Sequence, residues 1–216
     1  MDAIKNYWDE KFKSKKKIWG DEPSEAAQKS INFLKNELSM KSSLLDLACG
    51  YGRDSILFSQ YISNVTGIDI SSEAIDMAKK YNKEIDFVVG DMFDLPFNKE
   101  SFDIVFGNFI LHLFLKKQRN EILKEIFDLI KPGGVCIISV ASIDDSDFGL
   151  GDKIEDNCYI NSRGVTKCYY SIEMIEKEFT NFSDIKIEVL EEEHSHDFPH
   201  IHRSYLIFAK REGKFH

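Results

Sequence analysis

From about residue 43 onward, short apolar segments alternate with segments of helical character. The apolar segments, whose length and composition suit buried strands, cover residues 43–48, 64–70, 85–91, 102–108 and 135–141. Helix-like segments lie between them, at residues 53–61, 71–81 and 116–130. Nearly continuous apolar strands that alternate with helices are typical of a parallel sheet covered by helices on both faces. The sequence therefore predicts a Rossmann-like α/β fold.

The two ends of the chain depart from this alternation. A chain of 216 residues suits one sizeable domain, and two full domains would be cramped. We therefore predict a single domain across residues 1–216. Its parts are an N-terminal segment with one helix, an α/β core, a polar insert, and a C-terminal helix with two strands; they cover 1–40, 43–142, 143–170 and 171–216.

Charge and hydropathy exclude some classes of partner. The formal net charge is -9, whereas a nucleic-acid binder needs clustered Lys and Arg. The basic run "KFKSKKK", from Lys11 to Lys17, is interpreted as a solvated face near a mobile N-terminus. The N-terminus has no apolar signal core, and no run is long enough to span a bilayer. We expect a cytoplasmic protein with no nucleic-acid or membrane partner.

The four cysteines are scattered through the chain. Cys49 and Cys136 lie in or at the end of apolar runs, which is typical of small core residues. Cys158 and Cys168 lie in the polar insert, where we expect exposed thiols. A chain of this size without a CxxC pair does not predict a disulfide framework.

The stretch "SLLDLACGYGRDS", residues 43–55, ends the first strand with a tight turn that leads into a helix. Gly50 and Gly52 allow the backbone to turn sharply and to approach a ligand closely. The free N–H groups of the following helix favour an anionic group. However, no Lys-Ser/Thr pair follows the turn, so the stretch does not predict a site for phosphate and magnesium.

Acidic residues stand where the first three strands end. Asp69 ends the second strand, where a carboxylate can accept both hydroxyl groups of an unphosphorylated ribose. Asp91 ends the third strand and can accept from an exocyclic amine such as that of adenine, and Asp46 lies just inside the first strand. The set indicates a ligand with an adenine, a free ribose, an amino group and a small anion, and it does not suit a pyrophosphate.

Five segments resemble, in order and spacing, the motifs of class I S-adenosylmethionine-dependent methyltransferases. The segments are "LLDLACGYGRDS", "GIDISSEAIDMAK", "VVGDMFDLPF", "FDIVFGN" and "LIKPGG". The resemblance covers about residues 43–142 and implies a seven-stranded, mostly parallel sheet whose last strand is antiparallel. It implies S-adenosylmethionine as cofactor and S-adenosylhomocysteine as product. One departure is Ala48, where many members of the family have glycine.

The resemblance assigns roles to individual residues. Gly50 and Gly52 would flank the cofactor, Asp69 would bind the ribose hydroxyls, and Asp91 would bind the adenine amine. Arg53 is a candidate for the cofactor carboxylate or an anionic substrate, and equally for a solvated or structural residue. The other implied cofactor contacts are Asp46, Ala48, Ile70, Met92, Phe93, Asn108 and Phe109. Alternative interpretations are a backbone cap for Asp46, a helix partner for Asp69 and a core residue for Met92.

The flanking segments resemble the tellurite-resistance and thiol methyltransferase-like small-molecule enzymes. That resemblance implies that an N-terminal aromatic segment and the insert at 143–170 close over the cofactor. Tyr7, Trp8 and Trp19 would then form the wall of a lid, although the tryptophans could instead anchor a helix.

Histidines supply the candidates for acceptor binding. His112 follows the fourth strand, close to the expected methyl group, and is a candidate for the substrate pocket and for the general base. His202 begins the final strand and, with Tyr169, completes the predicted substrate pocket. The run "HSHDFPHIH" also contains His194, His196, His200 and His202. Two histidines at positions i and i+2 of a strand lie on the same face and are a feasible pair of metal ligands. One strand and its loop rarely supply a closed site, so we predict no metal.

These features predict an enzyme that transfers a methyl group from S-adenosylmethionine to a small-molecule acceptor by in-line displacement. We expect a monomer or a homodimer. One alternative is a cofactor-binding module without catalysis. Another is a nicotinamide-dependent oxidoreductase. The G-x-G-x-x-G motif of such enzymes has a third glycine at the position where this chain has Ser55.

Overall fold

The computed structural model describes residues 2–15, 17–35, 39–161, 164–194 and 200–213. Its described residues include a seven-stranded sheet with the order β3-β2-β1-β4-β5-β10-β9. The strands are β1 Ser43–Leu47, β2 Asn64–Asp69, β3 Asp86–Val89, β4 Phe102–Gly107, β5 Ile130–Ala141, β9 Ser183–His194 and β10 His200–Lys210. Strands β1 to β5 are parallel to one another, and β10 runs antiparallel between β5 and β9. The predicted sheet is confirmed.

Six α-helices accompany the sheet in the described residues. They are α1 Asp2–Lys15, α2 Glu25–Leu34, α3 Arg53–Ser59, α4 Ser72–Tyr81, α5 Lys116–Leu129 and α6 Ile172–Glu178. Serine side chains cap three of them: Ser24, Ser71 and Ser171 each accept a hydrogen bond from the first turn of the helix. The sequence predicted one N-terminal helix where the structure has two, because the charged residues of α1 hide its apolar contacts. No described helix has the length and apolar character needed to cross a membrane.

Alternate residues of the central strands face two apolar clusters on opposite sides of the sheet. On one side Leu45 and Val105 share a cluster with residues of α5 and α6. On the other side Leu44 and Ile104 share a cluster with residues of α2, α3 and α4. Because both faces are covered, the central strands are apolar in nearly every position, as the sequence pattern indicated.

The insert contains a second sheet of three short antiparallel strands, which we call the cap. Its strands are β6 Asp152–Glu155, β7 Cys158–Ile160 and β8 Thr166–Cys168. Cys158 and Cys168 lie opposite each other in β7 and β8, are fully buried, and form a disulfide bond. The expectation of exposed thiols without a disulfide was wrong, because pairing across the cap brings together two cysteines whose polar surroundings in sequence gave no sign of burial.

A buried ion pair lies beneath the cap. The guanidinium of Arg119, on α5, donates to both carboxylate oxygens of Glu178, on α6, at 2.7–3.2 Å. Arg119 Nη1 also donates to the carbonyl oxygen of Phe114 at 2.8 Å and lies 3.3 Å from the sulfur of Cys168. Arg119 therefore connects the two helices, the end of the loop after β4 and the cap.

Candidate functional site

A cavity of about 520 Å³ lies at the carboxyl ends of the parallel strands. This is the edge at which open α/β sheets bind ligands, and the volume suits a small molecule. Residues that follow β1, β2, β3 and β4 form its floor. The N-terminal segment forms one wall, and the insert with the start of β10 forms another.

The turn after β1 has left-handed backbone at Ala48, Gly50 and Gly52, with φ angles of 57°, 55° and 82°. This region is unfavourable for residues with a Cβ atom, which explains why glycine is common where this chain has Ala48. Alanine adopts the conformation here, so the departure from the family pattern leaves the turn intact. Cys49 N donates to Ile68 O at 3.0 Å and fixes the turn to β2.

Gly50 and Gly52 shape the cavity without lining it. A Cβ atom at Gly52 would lie 2.7 Å from the ring of Phe87, on the side of the turn that packs against β3. A Cβ atom at Gly50 would lie at an ordinary 3.5 Å from Phe12 and Trp19. Gly52 therefore permits close packing beneath the turn, and the predicted direct contact of both glycines with a ligand stays a prediction.

Asp69 connects the end of β2 to this turn. Its Oδ2 accepts from Gly50 N, and its Oδ1 accepts from Ser71 N, both at 2.8 Å. The residue is 8% exposed and lines the cavity. Burial raises the pKa of the carboxyl to about 6, although the two backbone N–H groups favour its charged form. Asp69 is thus a structural partner of the turn and also a polar group of the cavity.

Two further carboxyl groups lie near Asp69 and line the same cavity. Asp46 Oδ2 accepts from Ser55 Oγ at 2.5 Å, and Asp54 accepts from the backbone and hydroxyl of Ser24 at 2.7 and 2.8 Å. Burial first, and then the charge of Asp54, raises the pKa of Asp46 well above its usual range. Burial also raises the pKa of Asp54. Sequence reasoning missed Asp54, since it lies inside α3 in a pattern typical of a helix surface.

The segment after β3 forms the next part of the floor. Asp91, Met92 and Phe93 all line the cavity, as does Ile70 after β2. Asp91 Oδ1 accepts from Phe93 N at 3.0 Å, which closes a local turn. Gly90 N donates to Asp69 O at 2.9 Å, so the ends of β2 and β3 are held together.

The loop after β4 contributes Asn108, Phe109 and His112. Ser139 donates to Asn108 Oδ1 and accepts from Phe109 N at 2.8 Å, and Phe109 has a left-handed φ of 54°. His112 packs edge-to-face on Phe109, and its buried Nδ1 has no hydrogen-bond partner among the described residues. Burial, and then the charge of Lys167, lowers the pKa of His112 to about 3.

The N-terminal segment brings Tyr7, Trp8 and Trp19 to the cavity. Trp19 stacks on Tyr51 with 6.2 Å between ring centroids, and the Tyr51 hydroxyl donates to Gly20 O at 2.7 Å. Arg53 Nη1 donates to the carbonyl oxygens of Trp19 at 2.8 Å and Glu22 at 3.1 Å.

Arg53 therefore connects the N-terminal wall of the cavity to α3 through these hydrogen bonds. A contact between Arg53 and a ligand stays a prediction. Lys11 also lines the cavity, 4.6 Å from the Trp8 ring centroid. Lys11 is half-buried, whereas Lys13 and Lys15 of the same basic run are exposed, as expected for a solvated face.

The insert contributes polar residues that the sequence pattern did not indicate. Asp145, Asp147 and Lys167 line the cavity together with His202. Lys167 Nζ lies 3.5 Å from Asp145 Oδ1 and 3.4 Å from Asp147 Oδ2. The motifs of the core could not indicate these residues, because they lie in a segment that has neither helical nor strand periodicity.

Tyr169 does not line the cavity, contrary to expectation. Its ring is buried against Phe148, and its hydroxyl donates to Asp147 O at 2.9 Å. It supports the segment that carries Asp147.

The arrangement does not indicate a metal. Asp145, Asp147 and His202 present ligand atoms within 4.8 Å of one another, but the ammonium group of Lys167 already lies beside the two carboxylates. The side chains of His194, His196 and His200 lie outside the described residues, so the expectation that this run binds no metal stays a prediction.

The strand order, with an antiparallel strand inserted next to the edge, and a ligand cavity at the carboxyl ends of β1 to β4 define the class I methyltransferase fold. A family model described as a methyltransferase domain matches residues 45–138, which extend from β1 into β5.

Relatives of this core are found among methyltransferases. An uncharacterized methyltransferase of Synechocystis sp. is 33% identical over 98 residues, which are 45% of this chain and 46% of that protein. A demethylmenaquinone methyltransferase of Lactococcus lactis is 38% identical over 110 residues, which are 44% of this chain and 41% of that protein. The chain thus spans less than half the length of these curated relatives.

Solved structures resemble the fold over a larger share of the chain. A SAM-dependent methyltransferase of Methanosarcina mazei has a TM-score of 0.70 at 23% identity and covers 84% of this chain and 98% of its own. The 1,6-didemethyltoxoflavin-N1-methyltransferase of Burkholderia thailandensis, solved with bound 1,6-didemethyltoxoflavin and S-adenosylhomocysteine, has a TM-score of 0.68 at 19% identity. It covers 98% of this chain and 88% of its own. At these identities the likeness shows the fold.

Proposed function

We propose that this chain is an S-adenosylmethionine-dependent methyltransferase that acts on a small-molecule acceptor. The observation that carries the proposal is the position of Asp69, which ends β2, holds the glycine turn and faces the cavity within the methyltransferase domain.

The electrostatics of the cavity fit this cofactor. Three buried carboxyl groups, of Asp46, Asp54 and Asp69, lie at its floor near the turn. They favour a ligand with positive charge and hydroxyl donors, as a sulfonium, an ammonium and a ribose supply. A pyrophosphate at the same place would meet the negative charge of Asp69, whose pKa of about 6 leaves it ionised at neutral pH.

Asp69 has the capacity to bind a ribose without losing its structural role. A carboxylate has about four lone-pair positions, and the N–H groups of Gly50 and Ser71 use two of them. Asp69 accepts from the ribose hydroxyls with the others. Asp91 accepts from the adenine amine, since its Oδ1 accepts only one local N–H bond among the described contacts.

The protein supplies orientation and a dry site. The bound sulfonium provides an activated methyl group, and the chain aligns it with the acceptor. Holding the two reacting groups in line near about 3 Å can contribute on the order of 7–11 kcal/mol. Phe93, Ile110 and Phe114 give part of the cavity an apolar surface.

The alternative functions have less support. Ser55 stands at the position of the third glycine in the motif of nicotinamide-dependent enzymes. Its side chain is fully buried and donates a hydrogen bond to Asp46. A binding module without catalysis has no need of a structured insert over its ligand, whereas Asp145, Asp147 and Lys167 of the insert line this cavity. The tellurite-resistance and thiol subgroup, a cytoplasmic location, and a monomeric or dimeric state stay predictions from the sequence.

The experiment that tests the proposal is a structure of the protein with S-adenosylhomocysteine, together with an assay of S-adenosylhomocysteine release. We expect the ribose hydroxyls at hydrogen-bond distance from Asp69 and the adenine amine beside Asp91. A nucleoside bound elsewhere, or no release with any hydroxyl, thiol or amine acceptor, would contradict the proposal.

A further inference from the structure

Among the described residues, two histidines line the cavity, and they differ in their hydrogen-bond partners. His202 Nδ1 lies 3.1 Å from Asp145 Oδ2, and the Asp145 side chain is 3% exposed. Asp145 also accepts from the backbone N–H groups of Arg203 and Asp147, both at 3.0 Å. His112 has no such carboxylate, and its buried Nδ1 has no partner among the described residues.

The surroundings of Asp145 define the tautomer of His202. Its carboxylate oxygens face two backbone N–H donors and the ammonium group of Lys167, so it acts as an acceptor. The hydrogen between His202 and Asp145 therefore belongs to Nδ1. In the neutral ring the lone pair then lies on Nε2, which is the arrangement that a histidine base requires.

The topology brings His202 to the reacting side of the cavity. Strand β10 is antiparallel, so its first residues lie at the carboxyl ends of the other strands. Ser204 pairs with Ala141 at the end of β5, and His202 lies just beyond this pair. Asn108 follows the neighbouring strand β4, and both residues line the same cavity.

We infer that His202, oriented by Asp145, accepts the proton of the methyl acceptor, and that this acceptor is a hydroxyl or N–H group. The inference rests on the proposed function. The acceptor oxygen or nitrogen forms a bond to the methyl carbon while the carbon–sulfur bond breaks, and that electron pair stays on sulfur. The acceptor's proton moves to His202 Nε2, and the resulting imidazolium pairs with Asp145 before it releases the proton to water.

His112 then has a different task. Its neutral ring presents a hydrogen-bonding edge to the acceptor in an apolar environment, beside Phe109. Without a neighbouring carboxylate, a proton on this ring has no stabilising partner of the kind that Asp145 gives His202. His112 is therefore a binding residue for the acceptor, and this assignment replaces the role of general base predicted for it from the sequence.

The first test reads the tautomer directly in the wild-type protein without any ligand. Two-bond 1H–15N NMR of protein labelled at histidine nitrogen distinguishes Nδ1–H from Nε2–H, and His202→Gln identifies the signal. We expect the Nδ1–H form at His202, and Asp145→Asn shifts the ring toward the Nε2–H form because an amide can donate to Nδ1. The Nε2–H form in the wild-type protein would overturn the inference.

The second test compares phenol and thiophenol as acceptors. Thiophenol ionises in neutral solution and needs no base, whereas phenol must lose a proton during transfer. His202→Gln should lower transfer to phenol by about 10²–10⁴-fold and transfer to thiophenol by less than about threefold. An equal loss for both acceptors would overturn the inference. So would a wild-type protein that methylates thiophenol but no hydroxyl or N–H probe.

The two proposals fail in distinguishable ways. The affinity for S-adenosylmethionine, measured by calorimetry, should be the same in His202→Gln and in the wild-type protein. If the wild-type protein does not bind S-adenosylmethionine, the proposed function is overturned. Normal affinity with the wrong tautomer would overturn only the role of His202.

Discussion

Asp69 accepts a hydrogen bond from the backbone N–H of Gly50 at 2.8 Å, and this contact joins the end of β2 to the turn after β1. The same carboxyl group lines the cavity, so the residue that shapes the turn also faces the ligand. Two interpretations of the residue, as a structural partner and as a ribose acceptor, are therefore compatible. Because of this double role, we expect the protonation of Asp69 to change the affinity for the cofactor.

The affinity for S-adenosylmethionine should fall as the pH decreases through about 6. Burial raises the pKa of Asp69 to about 6 in the ligand-free protein, and only the ionised carboxylate accepts from both backbone and ribose donors. Each pH unit below this value should weaken binding by up to about tenfold. Calorimetry between pH 5 and 8 measures the effect. An affinity in the wild-type protein that is independent of pH would contradict this assignment, and Asp69→Asn serves as the control.

The same raised pKa has a consequence for folding, with the opposite sign. The folded protein holds the proton on Asp69 up to about pH 6, whereas the unfolded chain releases it near the ordinary value of 3.8. The contribution of this group to stability is therefore present at low pH and is lost as the pH rises through that window. The urea midpoint of wild-type protein relative to Asp69→Asn should decline between these pH values. A relative midpoint that rises instead would contradict the raised pKa.

Gly52 and Gly50 should differ in their tolerance of alanine. Both have left-handed backbone, so alanine costs roughly 1–2 kcal/mol at either position. At Gly52 the new Cβ also meets the ring of Phe87 at 2.7 Å, and relieving this overlap costs about 1–3 kcal/mol more. Urea unfolding of Gly52→Ala, with Gly50→Ala as the matched control, should reveal the difference. Equal losses would show that the turn does not pack as closely on β3 as described.

The buried ion pair beneath the cap should be sensitive to the loss of one partner. Glu178→Gln leaves Arg119, which is 2% exposed, without its counter-charge, and we expect a loss of about 3–5 kcal/mol. Glu173→Gln removes an exposed ion pair with Lys177 on the same helix, where water screens the charges, and should have little effect. Urea unfolding without reductant compares the two variants. Similar effects of both would contradict the structural role of Arg119.

The sequence alone predicted the features that depend on local pattern. The alternation of apolar strands and helices predicted the sheet, and the strand ends predicted where Asp69 and Asp91 lie. Both follow from periodicity and from the rule that parallel strands present their carboxyl ends at one edge.

Features that depend on contacts between distant segments could not be predicted in this way. The cap pairs Cys158 with Cys168, and the start of β10 brings His202 to Asp145. Neither segment has a periodicity that identifies its partner, so local chemistry alone could not distinguish a buried disulfide from exposed thiols. Lys167 was missed for the same reason.

The most direct test of the account is a calorimetric titration of the wild-type protein and Asp69→Asn with S-adenosylmethionine. We expect binding at micromolar strength to the wild-type protein and a loss of at least about tenfold in the variant, provided that circular dichroism shows the same fold. Absence of binding to S-adenosylmethionine alongside clear binding of NAD would contradict the account.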